Sequence, residues 1–501
     1  MRPNILLITT DQQHFSALGV RNPLIKTPNL DRLAAAGAVF DRAYCPNPLC
    51  SPSRSSIITG QYPSTHGCWT IGTKLDDDYP TVGRLFSDAG YQTTLIGKAH
   101  FQPLASTPDQ TSLEAPPTLR DLDFWRSFNG PYYGFDRIEL ARNHGDEAWA
   151  GQHYALWMEE NGLHNWRDFF QGDDAENDSP RVHTWDLPEA YHYTSFVGER
   201  SVAAIEQASA DATPFFLWAS FQDPHPPYLV PEPWASMYDP AEMEPGRLHE
   251  DELSLMSPWF QKTQEMNPDF SEFRETPFAN HGFHSHLISE EDLRADIAVY
   301  YGMVSFIDAE VGRILDSLEL LGQADNTLVV FTTDHGHFLG QHGLIAKGAF
   351  HYEDLLRIPM IARFPDRIPA GQNLAGLQSL IDLAPTFLSA ADLPVPLAMQ
   401  GVDQLPVWTG REPEARDHVI VENRHQPTAV HIRTYVESRY KITVYRDRDW
   451  GELFDLDADP NETKNLFHNP DFADVKAHLM DRFLNAELRR ETSKYPRIAV
   501  A

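Results

Sequence analysis

The chain opens on NILLITT (Asn4 to Thr10), an apolar run that turns polar only at its end, the pattern of a strand buried on both faces. NLDRLAAAG (Asn29 to Gly37) follows with helical spacing, introduced by Thr27-Pro28 and closed by glycine. TVGRLFSDAG and then YQTTLIGK (Thr81 to Lys98) repeat the order of helix then strand. PFFLWASF (Pro214 to Phe221), TLVVFTTD (Thr327 to Asp334) and IPMIARF (Ile358 to Phe364) read as further strands. From about Glu290 to Leu321, Leu293, Ile297, Tyr301, Val304, Ile307, Val311, Leu315 and Leu318 step by three or four, which predicts one long amphipathic helix. Strands alternating with helices predict an α/β fold, a large and mostly parallel sheet sandwiched by helices.

The rhythm changes after IDLAPTFLSAADLP (Ile381 to Pro394). HVIVENR, AVHIRTYVES, RYKITVYRD and GELFDLD are short strands separated by turns, and a helix from about Phe472 to Arg490 follows. The expected organisation is a larger α/β domain over 1–409 and a smaller C-terminal domain of antiparallel sheet plus helix over 410–501. Residues 101–195, with five tryptophans, and 223–285, rich in proline, histidine and acids, fit neither rhythm. They read as pocket rim or as plain surface insertions. The tail KYPRIAVA (Lys494 to Ala501) is apolar enough to reach a neighbouring subunit, giving the expectation of a homo-oligomer, a dimer or tetramer.

Composition adds exclusions. A formal net charge of −32 argues against a partner tracked along nucleic-acid phosphates. An anionic substrate would need a concentrated cluster of Lys, Arg, His or metal. Three cysteines in 501 residues do not make a disulfide framework. The apolar start is too short for a signal-peptide core, and no run is long enough to span a bilayer. The expected location is cytoplasmic, without a membrane partner, and Asn461-Glu462-Thr463 is then an accidental glycosylation match.

Two strand ends are near copies, ITTDQ (Ile8 to Gln12) and FTTDH (Phe331 to His335). In an open parallel sheet, ligands gather at the carboxyl ends of strands. If these strands are neighbours, Asp11 and Asp334 converge with Gln12 and His335 beside them. Side-by-side carboxylates repel unless a cation or shared proton lies between them, so a divalent metal is one reading. Two unrelated helix N-caps is the other.

CSPSRSSIITG (Cys50 to Gly60) places a thiol at a helix start, with Ser51 able to cap, Pro52 in the first turn and Gly60 as the stop. The positive helix end and Arg54 one turn along would favour an anion there, so Cys50 reads as a thiolate nucleophile or as an inert buried cysteine.

This stretch resembles the signature of the type I sulfatases within the alkaline phosphatase superfamily, C-x-P-S-R followed by apolar residues and T-G. GKAH (Gly97 to His100) resembles that family's G-K-x-H, the segment around His225 its substrate-binding histidine region, and TTDHG its second metal segment. Lys347-Gly348 and ELFDLDADPNETKNL (Glu452 to Leu466) resemble its K-G and its C-terminal hairpin. The resemblance implies that Cys50 is oxidised to formylglycine by a formylglycine-generating enzyme and works as the aldehyde hydrate. One hydroxyl attacks sulfur; the other later loses a proton and restores the aldehyde, expelling sulfate. It further implies that Asp11, Gln12, Asp334, His335 and the modified Cys50 hold one divalent metal ion. Arg54 and Lys98 would steady the hydrate, and His100 would be the base at its second hydroxyl. Lys347 and His225 would grip the transferred group and protonate the leaving alcohol.

Gln12 and His335 depart from the aspartate and asparagine of many animal-type sulfatases and resemble choline sulfatases and phosphonate monoester hydrolases. That weakens Ca²⁺ and admits Mn²⁺. Lys98 and His100 are retained, however, where the phosphonate hydrolases replace both. The expected activity is hydrolysis of small sulfate monoesters, aryl or alkyl. A phosphonate monoester or phosphodiester hydrolase is the alternative, and a non-catalytic metal- and anion-binding protein a third reading. The five tryptophans could cage a quaternary ammonium alcohol or simply pack.

Overall fold

Eight strands form the main sheet: β1 (Asn4–Thr10), β2 (Ala38–Phe40), β3 (Gln92–Gly97), β4 (Arg137–Leu140), β5 (Phe215–Ser220), β6 (Thr327–Thr333), β7 (Met360–Arg363) and β8 (Gln372–Leu374). The structure, a computed structural model, describes residues 2–142, 150–170, 185–275, 281–426, 429–491 and 498. The strands lie in the order β8-β2-β7-β6-β1-β5-β3-β4, and β7 alone runs antiparallel to its neighbours.

The unbroken apolar run of β1 follows from this central position. Ile5 and Leu7 enter one core with Leu95, Trp218, Leu328 and Val330, whereas Leu6 and Ile8 enter the opposite core with Ile96, Leu217, Val329 and Phe331. Alternate side chains thus serve two layers, as the twofold period of a strand requires. The second layer is covered by the helices α1 (Pro28–Ala35), α3 (Tyr193–Ala210) and α4 (Glu290–Leu320); α2 (Cys50–Thr59) lies on the other side. Ser289 caps α4, its hydroxyl accepting from the Asp292 amide at 3.0 Å, and three acids occupy the first turn where the helix dipole favours them.

The second sheet is antiparallel in chain order, β9 (Val419–Gln426), β10 (Val430–Val436), β11 (Tyr440–Tyr445) and β12 (Gly451–Asp455). On one face, Ile420, Tyr435, Ile442 and Leu453 pack under Leu479, Phe483 and Ala486 of α5 (Ala473–Arg489). On the other face, Val419, Val421, Val430, Ile432 and Val436 join the core of the main sheet.

Several elements escape the apolar pattern. β2, β4 and β8 are three or four residues long, too short to show a period. Trp125, Trp157, Trp166 and Trp185 of the irregular region are buried in the two cores, so they pack and do not cage a ligand; Trp149 lies outside the described residues. The apolar tail, apart from Ile498, also lies outside them. No helix among the described residues is long and apolar enough to cross a membrane.

Candidate active site

Strand register assembles the site. Thr10 of β1 pairs with Thr333 of β6, so Asp11 and Asp334 leave the sheet side by side at its carboxyl edge. Neither aspartate opens a described helix, which removes the N-cap alternative. The backbone amides of Gln12 and His335 both donate to Asp334 Oδ1, at 3.1 and 2.9 Å.

α2 begins at Cys50 with Leu49 as its N-cap and no side-chain cap, so the expected capping by Ser51 is not made; Ser51 Oγ has no partner. Other anchors fix this helix. Asn47 Oδ1 accepts from the Leu49 amide at 2.9 Å, and Ser53 Oγ donates to the Asp334 carbonyl at 2.6 Å. Gly60 stops the helix at φ 65°, a left-handed conformation that suits glycine. Every residue of α2 is buried, and its first turn faces the two aspartates.

One ligand atom each from Asp11, Cys50, Asp334 and His335 lies within 4.8 Å of the others. Cys50 Sγ is 3.2 Å from His335 Nε2 and 3.5 Å from Asp11 Oδ1. The thiol stands where the resemblance places formylglycine. Gln12 adds a fifth group: its Oε1 is buried without a partner, while its Nε2 lies 2.8 Å from His337 Nδ1. His337 Nε2 in turn meets the Tyr228 hydroxyl at 2.7 Å. An orphaned buried amide oxygen beside two carboxylates and an imidazole fits a divalent cation's coordination sphere.

Fixed cations surround this cluster. Arg54 Nε donates to Asp334 Oδ2 at 2.8 Å, and its Nη1 donates to Ser220 Oγ at 2.7 Å and to the Lys98 carbonyl at 3.0 Å. Lys98 forms an ion pair with Asp11, both side chains fully buried. Lys347 Nζ lies 3.0 Å from Cys50 Sγ and 2.9 Å from His225 Nε2. Burial pushes the Asp11 carboxyl up, but Lys98 and the neighbouring charges outweigh it and hold the group well below the usual range. Burial and Lys347 push His225 well down, so it is neutral at pH 7 and Lys98, Arg54 and Lys347 carry that effect. Burial and Asp11 raise the Cys50 thiol, yet Lys347, Lys98 and His335 more than offset them and lower it. Two carboxylates therefore face three cations before any metal is counted. Burying that surplus is costly unless an anion joins it.

His100 occupies the turn after β3 at φ 59°. Glu114 holds that turn, accepting from the amides of His100, Phe101 and Gln102 at 2.7, 2.8 and 3.2 Å. His100 Nε2 is 3.4 Å from Arg142 Nη2, and its Nδ1 has no hydrogen-bond partner. Burial, then Arg142 and Lys98, push it well below its ordinary value, leaving an imidazole able to accept a proton. No hydrogen bond joins it to Cys50.

The structure thus brings Asp11, Gln12, Cys50, Arg54, Lys98, His225, Asp334, His335 and Lys347 into one contact network, with His100 on the adjoining turn. Tyr228, His337, Glu114, Arg142 and Ser220 were not singled out by sequence. Ser220 was open to the same reasoning as Asp11, since it closes a parallel strand; the others are recruited from loops distant in sequence.

Comparison with known proteins agrees. The family described as Sulfatase matches residues 3–393, and that described as N-sulphoglucosamine sulphohydrolase, C-terminal, matches residues 340–489. An uncharacterized sulfatase, YidJ, of Escherichia coli strain K12 is 30% identical across 97% of this chain and 87% of its own. An arylsulfatase of Clostridium perfringens is 30% identical across 94% of this chain and 92% of its own. The crystal structure of a phosphonate monoester hydrolase of Agrobacterium radiobacter superposes with a TM-score of 0.79 at 26% identity, covering 98% of this chain and 96% of that one. The chain belongs to the sulfatase family, on the sulfatase branch of the alkaline phosphatase superfamily.

Proposed function

We propose that the protein hydrolyses sulfate monoesters of small alcohols or phenols, with Cys50 matured to formylglycine as the nucleophilic residue. The observation that carries this reading is the surplus of fixed cations, Arg54, Lys98 and Lys347, around Cys50 and the two carboxylates. Such a surplus attracts a tetrahedral anion and steadies the charge that grows as it reacts.

Asp11, Gln12, Asp334 and His335 would hold one divalent ion together with the modified residue. When bound, that ion supplies Lewis-acid polarisation of the ester anion. Mn²⁺ suits the mixed oxygen and nitrogen donors, and Ca²⁺ is the alternative through the oxygens alone. Lys347 Nζ, 3.0 Å from Cys50 Sγ, delivers the proton that the departing alkoxide or phenoxide needs as its bond to sulfur breaks, and the neutral His225, 2.9 Å away, orients that ammonium. His100, neutral and with a free Nδ1, takes the proton from the second hydroxyl of the hydrate. The carbon–oxygen bond to the sulfuryl group then breaks, releasing sulfate and restoring the aldehyde.

Hydrolysis of a phosphonate monoester is the second reading. Gln12, His335 and the likeness to the Agrobacterium radiobacter enzyme favour it, and Lys98 with His100 favours the sulfate. Three unpaired, buried cysteines support a reducing, cytoplasmic setting.

The test uses full-length protein matured with a formylglycine-generating enzyme. Mass measurement of the peptide carrying Cys50 should show the aldehyde, elemental analysis one equivalent of a divalent ion, and kinetics a higher kcat/KM for 4-nitrophenyl sulfate than for 4-nitrophenyl phenylphosphonate. Full turnover with an intact thiol, or a preference for the phosphonate, overturns the reading.

A further inference from the structure

A second group of unsatisfied polar atoms lies beside the cation cluster, on the inward face of the C-terminal sheet. Along β9 that face runs Val419, Val421 and then Asn423, changing from core hydrocarbon to amide. Asn423 is fully buried, yet neither its Oδ1 nor its Nδ2 has a hydrogen-bond partner. His425 is 6% exposed, and neither ring nitrogen has a partner. Between them the register slips: Asn423 pairs with Ile432 and Gln426 with Val430, so three steps on β9 oppose two on β10. That bulge re-aims His425, a device common beside binding sites.

The connection to Cys50 runs through residues 281–283. The His425 ring lies 5.1 Å from Phe283 and 6.5 Å from His281, centroid to centroid. Gly282, between those two, packs so closely that a β-carbon there would come within 2.9 Å of the Lys347 carbonyl and 2.8 Å of the Gly348 α-carbon. His281 is thereby held beside the lysine whose ammonium touches Cys50. His351, four residues past Lys347, contacts Thr434 Oγ1 of β10 through Nδ1 at 2.6 Å and leaves Nε2 unpartnered.

We propose that Asn423 and His425, with His281, form the subsite that receives the alcohol portion of the ester, and that this alcohol is polyhydroxylated. The inference deepens the ester-hydrolase reading above and rests on it. Buried donors and acceptors left unpaired are tolerated when a ligand meets them. A primary amide presents both a donor and an acceptor. Burial holds His425 down to about 4, so its imidazole is neutral and also presents one of each. Groups of that double character match hydroxyls. A plain aryl ring or quaternary ammonium has no donor for the Asn423 oxygen and no acceptor for its amide protons.

The test compares glycerol 1-sulfate with n-propyl sulfate, esters of equal length that differ by two hydroxyls, and repeats the pair as methylphosphonate esters. Holoenzyme and the variants Asn423→Leu, His425→Phe and His281→Phe are assayed. Native enzyme should favour the glycerol ester by about tenfold or more in kcat/KM, the discrimination one or two buried hydrogen bonds provide. Each variant should draw that ratio towards one, with the larger loss on the glycerol ester, and a melting temperature close to native shows that it has folded. A native ratio near one, or a ratio the variants leave unchanged, overturns the subsite and assigns the unpaired groups to structural water. The ratio within either series reads the subsite, whereas sulfate against phosphonate reads the chemistry, so the two proposals fail separately.

Discussion

Lys98 and Asp11 form an ion pair with neither side chain exposed to solvent. The pair links the carboxyl ends of β1 and β3 across the intervening β5, and Asp11 is simultaneously one of the four residues whose ligand atoms converge. Asp11→Asn removes a carboxylate from the cluster and leaves Lys98 and Arg54 with less compensation. The variant should lose its bound divalent ion by elemental analysis and at least about 10³-fold in kcat/KM. Breaking a buried pair should also cost about 3–5 kcal/mol in urea unfolding. Retention of a full equivalent of metal would remove Asp11 from the ligand set.

His100 carries an unpartnered Nδ1 and no hydrogen bond to Cys50. As the base for the second half of the reaction, it should be dispensable for the first. His100→Ala should lower steady-state kcat by about 10²–10⁴-fold and accumulate covalently sulfated enzyme, visible by intact mass after a single exposure to substrate. Slow turnover with no adduct would place His100 elsewhere in the cycle.

The chain Tyr228–His337–Gln12 positions an amide: His337 Nδ1 receives Gln12 Nε2 at 2.8 Å and so turns Gln12 Oε1 away from itself. His337→Phe keeps the ring and deletes the acceptor. Metal affinity, read by competition with a chelator, should weaken about 10–100-fold while the melting temperature stays close to native. Unchanged affinity would make this chain packing alone.

His342 is buried between Glu252 and Asp354, in ion pairs with both, the second at 3.6 Å. Burial alone would lower it, but these carboxylates raise it to about 9. Its unfolded value is near 6.5, so the folded state holds an extra proton between the two. The stabilisation is complete below about pH 6.5 and fades as pH rises through about 9, a loss on the order of 3 kcal/mol. Urea unfolding at both ends of that window should show the fall, and His342→Gln should flatten it. An equally steep fall in the variant would assign the effect to other groups.

Much of this architecture is legible because its signals are local. A doubly buried strand must be apolar at every position, and a strand ending in TTD at a parallel edge exposes its aspartate to whatever lies beyond, so Asp11 and Asp334 announce themselves. α4 declares its face over 31 residues. Cys50 stands out because a short motif encloses it. By contrast, nothing near Glu114 shows that it holds the turn of His100, because that link runs through a loop whose path only tertiary packing decides. Asn423 resembles any polar residue in a half-exposed strand; only the packing of β9 against the main core buries it. Short strands such as β2 are stabilised by their neighbours, not by their own composition.

The complete burial of α2 fixes an order of events. Cys50 is 1% exposed and its helix offers no accessible face, so the proposed conversion to formylglycine would have to precede the folding of α2. On that proposal folding acts as a deadline, and molecules that collapse first would keep their sulfhydryl. The competent fraction of a preparation would then record that race.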